Sequence, residues 1–482
     1  MQFNSHLFLL VFLPLAVTGA HVLRPRGHRA VCLFLAAMSV WFYLAGSPEG
    51  IFLLGASIYF NYYMGRSLQA APGRRKLAVG IGFNLAVLGV LKYTDFVLGS
   101  AFRLFGAEHT PLDLFIPLGL SFFTFQQIAY LCDCNKGEGG DYTPLEYAVY
   151  VLFFPTILSG PIALHHEIIP QLRAAKPGAD WDALARGLTR IALGLSKKVL
   201  IADVLGGAVA AGFGLAGELS SPAALVVMLG YTLQLYFDFS GYCDIASGCA
   251  LMLGVELPVN FNAPYRACSV TEFWKRWHMT LTRFFTRYLY VGLGGSRGGL
   301  KKTCINVMLV FLLSGLWHGA GWTFLIWGAL HGIMMVFERV RREKGAKPLP
   351  RPFGWFLTFL FVNIAWVFFR AASFDQAFAL LGDLFCGGFG GLPPALTGCY
   401  LTSEVKVINQ ILGLDQIRLG VISAVGFTLG ALLLATLPGR TVLDRTGADF
   451  RPAVPALLGT ALLLFWSALS FSGVGSFLYF TF

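Results

Sequence analysis

Long apolar runs alternate along this chain with short, mostly basic breaks, and a run of about 20 apolar residues is enough to cross a bilayer. Helices are expected near 6–23, 30–47, 50–65, 77–102 and 114–132. Further helices are expected near 199–213, 222–254, 303–316, 353–370, 418–437 and 453–472, with one more starting near Gly321. The breaks carry basic clusters at Arg24 to Arg29, Arg66 to Lys76, Arg186 to Lys198, Arg266 to Lys302, Arg339 to Arg351, and Arg440 to Arg451. Basic loops stay on the cytoplasmic side, so all six clusters are placed there.

That rule fails at one place. A simple crossing by the run from Tyr147 to Ile162 would leave Arg186 to Lys198 outside, so this run is predicted to be re-entrant. Non-helical backbone survives at membrane depth only when buried in protein or lining a cavity, which points to an internal chamber. The expected fold is an all-α polytopic transmembrane bundle of about twelve crossings plus re-entrant backbone, with both termini extracytoplasmic. The first run lacks the cationic start of a signal peptide and reads as a retained helix. With no long polar stretch to fold separately, residues 1–482 form one membrane-embedded domain. Its motif-bearing core spans about 50–340 and its C-terminal helices 353–482.

Composition agrees with this pattern. Hydrophobic residues make up 56% and charged residues 13% of the chain, and the mean hydropathy is +0.66. A soluble domain carries roughly twice that charge. The net charge of +11 follows from the basic loops, which removes the case for nucleic acid as a partner. Nine cysteines imply no disulfide framework, since several lie in apolar runs where a thiol acts as a small hydrophobe.

Candidate chemistry stands out because ionisable groups are costly at membrane depth. The block Gly315-Leu316-Trp317-His318-Gly319-Ala320-Gly321-Trp322 sets a histidine among tryptophans and glycines, with Trp327 and His331 following. Imidazole titrates near neutrality and can move a proton, so His318 is the expected catalytic residue. A purely interhelical hydrogen-bonding role is the alternative. His318 and Trp322 are one helical turn apart. Thirteen residues of helix would turn His331 roughly 220° away from His318, leaving it structural.

Asp238 and Asp244 interrupt the 222–254 run and should face the bundle interior, paired with basic groups or serving as coupling-ion sites. Trp274, His278 and Thr282 recur at i, i+4 and i+8, which predicts one face of a helix near the cytoplasmic surface. The same segment carries Lys275, Arg276 and Arg297, candidates for contact with the phosphates of an acyl carrier. Gly294-Gly295-Ser296-Arg297-Gly298 has the G-x-S-x-G form but sits in a basic loop, so it is no nucleophile elbow. The histidine spacing matches no metal motif, and no metal is expected.

These residues resemble the membrane-bound O-acyltransferase family, in particular its bacterial alginate O-acetylation and D-alanylation branch. The resemblance covers most of 50–340. It rests on Gly119 to Gln126, Ser159-Gly160-Pro161-Ile162, Tyr236 to Tyr242, Asn260-Phe261-Asn262, Glu272 to His278 and Trp317-His318-Gly319, with Phe477 to Phe482 at the C-terminus. The chain departs from that pattern at Arg287 and at Val291 to Gly295. The resemblance implies a ring-like bundle with a central tunnel. In it His318 is catalytic and His278, Trp317, Trp322, Asp238 and Asn260 support or line the tunnel, with Trp274, Lys275, Arg276 and Arg297 on the donor surface.

It further implies an O-acetyltransferase of a bacterial inner membrane with no permanently bound cofactor. Acetyl-coenzyme A or another acyl carrier would donate on the cytoplasmic side, and a separate extracytoplasmic acetyltransferase would finish O-acetylation of a polysaccharide. Transfer of D-alanyl or another acyl group to a wall polymer or lipid is the alternative. A secondary transporter is the competing class.

Overall fold

The structure, a computed structural model, describes residues 1–176, 178–436, 453–471, 475, 477 and 478. The basic cluster from Arg440 to Arg451 and the end of the C-terminal motif, 479–482, lie outside the described residues. All regular elements among the described residues are helical. Among the described residues seven helices are long and apolar enough to cross a membrane: Phe8–Arg26, Arg74–Leu104, Ser221–Met252, Gly299–His318, Trp322–Glu343, Arg351–Arg370 and Gln416–Thr436. His28–Leu44 and Val454–Leu469 are shorter apolar helices, and Gly50–Ala70 and Leu120–Asn135 add two more polar or more deeply packed ones.

Helix Ser221–Met252 runs without a break between two apolar cores. Tyr231, Phe237 and Phe239 pack into one, and Tyr242, Ile245 and Cys249 into the other. Its closest neighbour is a long helix made of Trp181–Leu195, a π-helical stretch Ser196–Ala202, and Asp203–Gly214. Glycines let the two backbones touch. A methyl group on Gly194 would strike the Gly241 carbonyl, and one on Gly187 the Gly248 carbonyl, the small-residue contact typical of helices packed in membranes.

That contact corrects one expectation. The expected cytoplasmic basic cluster includes Lys197 and Lys198, yet both are buried: Lys197 Nζ lies 2.6 Å from Asp244, and Lys198 Nζ lies 2.8 Å from Asp238 and 2.7 Å from Asp203. A charge in an apolar interior must be paired, and these lysines neutralise the carboxylates in the facing helix.

Further corrections concern boundaries. The crossing expected at 303–316 is the full 20-residue Gly299–His318 helix, about 30 Å long, because Lys301 and Lys302 join its first turn instead of ending a loop. The segment between the helices expected at 353–370 and 418–437 contains further helices, Phe374–Cys386, Pro394–Thr397 and Ser403–Leu412. Ser373 and Thr402 cap two of these through their hydroxyls.

The re-entrant expectation has a clear structural counterpart. Helix Pro144–Leu152 stops after two to three turns, and every residue from 153 to 164 is buried in irregular backbone. Glu146 anchors the start. It closes a capping box with Thr143 and accepts two hydrogen bonds from Arg173, at 2.5 and 2.8 Å.

The Arg173 guanidinium holds the Glu146 carboxyl down at about 2, below the usual carboxylate value of about 4.3. A depressed carboxyl pKa adds stability above the unfolded value and loses it as pH falls toward the folded one. Glu146→Gln is therefore expected to lower the thermal unfolding midpoint of the detergent-purified protein at neutral pH. The gap from wild type should close between about pH 4.3 and pH 2.

Candidate active site

Helices Gly299–His318 and Trp322–Glu343 form an antiparallel pair joined by only three residues, 319–321. They cross with their backbones in contact. A methyl group on Gly315 would meet the Phe324 carbonyl, and one on Gly328 the Phe311 carbonyl. This crossing brings His318, the last residue of one helix, against Trp327 of the other, with ring centres 5.2 Å apart. Trp317 and Phe369 close the cage at 4.7 and 5.1 Å.

His318 is only 4% exposed, yet it lines a cavity of about 320 Å³. Ser121, Ser159, Trp317, Ala320 and Lys92 share that wall. Three separate sequence motifs thus meet at one space: the segment starting at Gly119, the Ser159-Gly160-Pro161 stretch, and the Trp317-His318-Gly319 block. Gly119 has φ +75, and a side chain there would strike the Ile157 carbonyl. Only glycine adopts this turn cheaply while letting the backbones approach.

A second cavity, of about 250 Å³, enters from the opposite, basic end of the same helix pair. Arg339, Arg342, Thr303, Trp274, Phe311 and Ser314 line it. Ser314 sits one helical turn before His318 and on the same face. What separates the two cavities is a partition of rings, in which Trp274 packs 5.8 Å from Trp327 and His278 lies 6.1 Å from Trp317. One cavity is thus lined by His318 itself, and the other reaches Ser314, one helical turn before it.

The expected helix through Trp274, His278 and Thr282 does not form. Helix Val270–Trp274 ends in a turn, His278 takes a left-handed conformation at φ 42, and Met279–Phe284 starts afresh. The chain from Asn260 to Asn262 causes the break. The Asn260 carbonyl accepts the Met279 N–H at 2.9 Å, and Asn262 donates its N–H to the Arg276 carbonyl at 2.9 Å. Asn260 Oδ1 accepts from the backbone N–H and the hydroxyl of Thr280, at 3.2 and 2.9 Å, and lies 3.1 Å from His278 Nδ1. Thr280 Oγ1 in turn accepts the Ile162 N–H at 3.0 Å, fastening the irregular 153–164 stretch to the site.

Trp274 and Trp277 are 5% and 2% exposed, so they are interior rings and not anchors at a membrane surface. Trp274 Nε1 donates to His331 Nδ1 at 3.2 Å, which gives His331 a packing role behind Trp327. The remaining candidates separate. Trp322 lies on the outside, 53% exposed, and donates to Ser100 at 3.2 Å. It is not one turn from His318 on a shared helix, because 319–321 end the first helix before it.

Asp238 is committed to Lys198 and to the Leu478 N–H, away from the His318 cavity. Arg276 pairs with Glu272 at 2.8 Å. Lys275 is exposed on a larger basic-end groove with Arg341, Arg342 and Arg351, and Arg297 is exposed in its loop.

Lys92 is the site residue that the sequence reading missed. Its signal was present, as a lone cation inside the apolar run 77–102, but it is separated by over two hundred residues from the histidine it approaches. Asp133, His165 and His166 also cluster. There Asp133 is engaged by Arg287 at 3.0 Å and Tyr288 at 2.8 Å, and His165 Nδ1 lies 3.0 Å from the Tyr142 hydroxyl. An arginine at that carboxylate supplies the positive charge a metal would bring.

Asn260→Leu keeps the bulk but leaves the Thr280 N–H buried and unbonded, a cost of about 1–3 kcal/mol. It is expected to lower the unfolding midpoint of the purified protein by more than the same change at Asn262, whose side chain is exposed.

Comparison with known proteins follows the same residues. The sequence profile of MBOAT, the membrane-bound O-acyltransferase family, matches residues 135–375. A peptidoglycan O-acetyltransferase of Helicobacter pylori is 38% identical over 449 residues, covering 85% of this chain and 84% of the relative. The probable alginate O-acetylase AlgI of Azotobacter vinelandii is 39% identical over 402 residues, covering 80% and 79%. A teichoic acid D-alanyltransferase of Bacillus subtilis is 28% identical over 288 residues, covering 56% of this chain and 72% of that one.

Proposed function

The chain belongs to the membrane-bound O-acyltransferase family, and from that premise we propose that it carries an acetyl group across the bacterial inner membrane for O-acetylation of an extracytoplasmic polysaccharide. It is an integral membrane O-acyltransferase. One observation carries the rest: His318 lies on the wall of one cavity and one turn from Ser314 on the wall of the other. The basic end is the cytoplasmic end by the positive-inside rule, and a thioester such as acetyl-coenzyme A enters there. Its phosphates are favoured by Lys275, Arg341 and Arg342 at the groove mouth.

The acceptor hydroxyl comes from the far-end cavity. As its oxygen bonds to the thioester carbonyl carbon, the His318 imidazole takes the hydroxyl proton. The tetrahedral centre then expels the thiolate, which receives that proton. A positioned base of this kind contributes typically 10²- to 10⁴-fold, and the ring partition keeps bulk water from the thioester. His278, fixed through Asn260, and Trp317 shape this junction. No resident cofactor or metal enters the scheme, and a separate extracytoplasmic transferase completes delivery to the polymer.

Acetyl is favoured over D-alanyl because the two O-acetyl relatives are more similar to the chain, at 38% and 39% identity against 28%. The transporter alternative drew on Asp238 and Asp244, and both are neutralised by lysines.

Purified protein in liposomes, supplied with labelled acetyl-coenzyme A, is expected to consume the thioester. His318→Ala should slow consumption by about 100-fold or more, while His331→Gln should retain it. Substrate flux without thioester cleavage, or full activity in His318→Ala, would contradict the reading.

A further inference from the structure

The far-end cavity holds a cation that proton transfer at His318 does not use. Lys92 Nζ donates to the Trp317 carbonyl at 2.7 Å, and the neighbouring Tyr93 hydroxyl donates to the Leu316 carbonyl at 2.9 Å. Both contacts satisfy carbonyls that the end of helix Gly299–His318 leaves without intrahelical partners. Tyr93 does this without charge, so capping alone does not call for an ammonium. The negative end of the helix dipole favours a cation here, but it leaves the charge without a counter-ion.

Elsewhere the chain treats its interior lysines differently, pairing Lys197 and Lys198 with aspartates. Among the described residues Lys92 has no carboxylate partner. An ammonium carries three N–H donors, and the Trp317 carbonyl takes one. Ser121, Ser159 and His318 also line the cavity beside it. Such a wall suits a hydroxyl-bearing molecule with negative charge.

We propose that Lys92 is a specificity-determining residue of the acceptor cavity, binding an anionic group, carboxylate or phosphate, of the molecule that receives the acyl group. The assignment rests on the reading of the far end as the acceptor side. The charge, and not the length of the side chain, is what the acceptor reads, so arginine can substitute where glutamine cannot.

The test measures binding to detergent-purified protein by calorimetry, using trigalacturonate, its full methyl ester and glycerol 1-phosphate. Trigalacturonate and its ester share the same ring hydroxyls and differ in charge. Lys92→Gln is expected to weaken the charged probe that binds wild type by about 10- to 100-fold, the value of a charge-assisted hydrogen bond. Lys92→Arg should restore most of that affinity, and the methyl ester should bind wild type and Lys92→Gln alike. Trigalacturonate binding without glycerol 1-phosphate binding assigns a carboxylate, and the reverse assigns a phosphate.

Equal affinity of wild type and Lys92→Gln for the anions, equal loss for the methyl ester, or no binding of either anion to wild type would overturn the proposal. Thioester consumption by wild type and His318→Ala, measured on the same preparations, separates a failure of the His318 reading from a failure of this one.

Discussion

The geometry of the site depends on the place where helices Gly299–His318 and Trp322–Glu343 touch through bare backbone. At Gly315 and Gly328 there is no room for even a methyl group. A larger residue at either glycine would force the helices apart and move Trp327 away from His318. The crossing also fixes where the cage rings stand, since Trp317 and His318 follow Gly315 within one turn and Trp327 immediately precedes Gly328. In lipid no hydrophobic force pulls helices together, so close van der Waals contact between small residues must supply the attraction. The same device recurs at Gly194 with Gly241 and Gly187 with Gly248, where it sets the scaffold.

Around this frame, several buried polar groups pair across segments of a strongly apolar chain. Lys198 with Asp238 and Lys197 with Asp244 join the long helices. Asn260 holds the His278 turn, and Thr280 ties that turn to the irregular stretch 153–164. These contacts link segments far apart in sequence. Breaking one partner leaves a buried charge or donor unpaired, which costs more than the intact pair contributes. These contacts fasten the segments around His318 to one another, and one cavity lies on each side of the ring partition.

Much of this was legible in the sequence. Apolar runs placed the crossing helices because each must bury or expose about 20 apolar residues in lipid. The cost of an ionisable ring at depth singled out His318. The positional conflict at Tyr147 to Ile162 pointed to buried irregular backbone, and 153–164 is that. Other features depend on partners that spacing does not reveal. The break at His278 is imposed by the backbone of Asn260, and periodicity alone read through it. Lys197 and Lys198 looked like loop charges because the aspartates they meet on the facing helix, Asp244 and Asp238, sit 47 and 40 residues away. Lys92 carried the same signal as His318, a charge inside an apolar run, but its meaning needed the helix end that it meets. Trp322 was misplaced because three residues, 319–321, turn the chain before it.

The central claim is that position 318 is approached from both sides of the membrane. Cysteine accessibility in a background lacking the native thiols tests it most directly, with small charged thiosulfonate reagents added to either face of sealed, oriented vesicles. Cysteine at Ser121 should be labelled only from the far face, cysteine at Thr303 only from the basic face, and cysteine at His318 from both. Labelling of position 318 from one face alone, or from neither, would contradict the account.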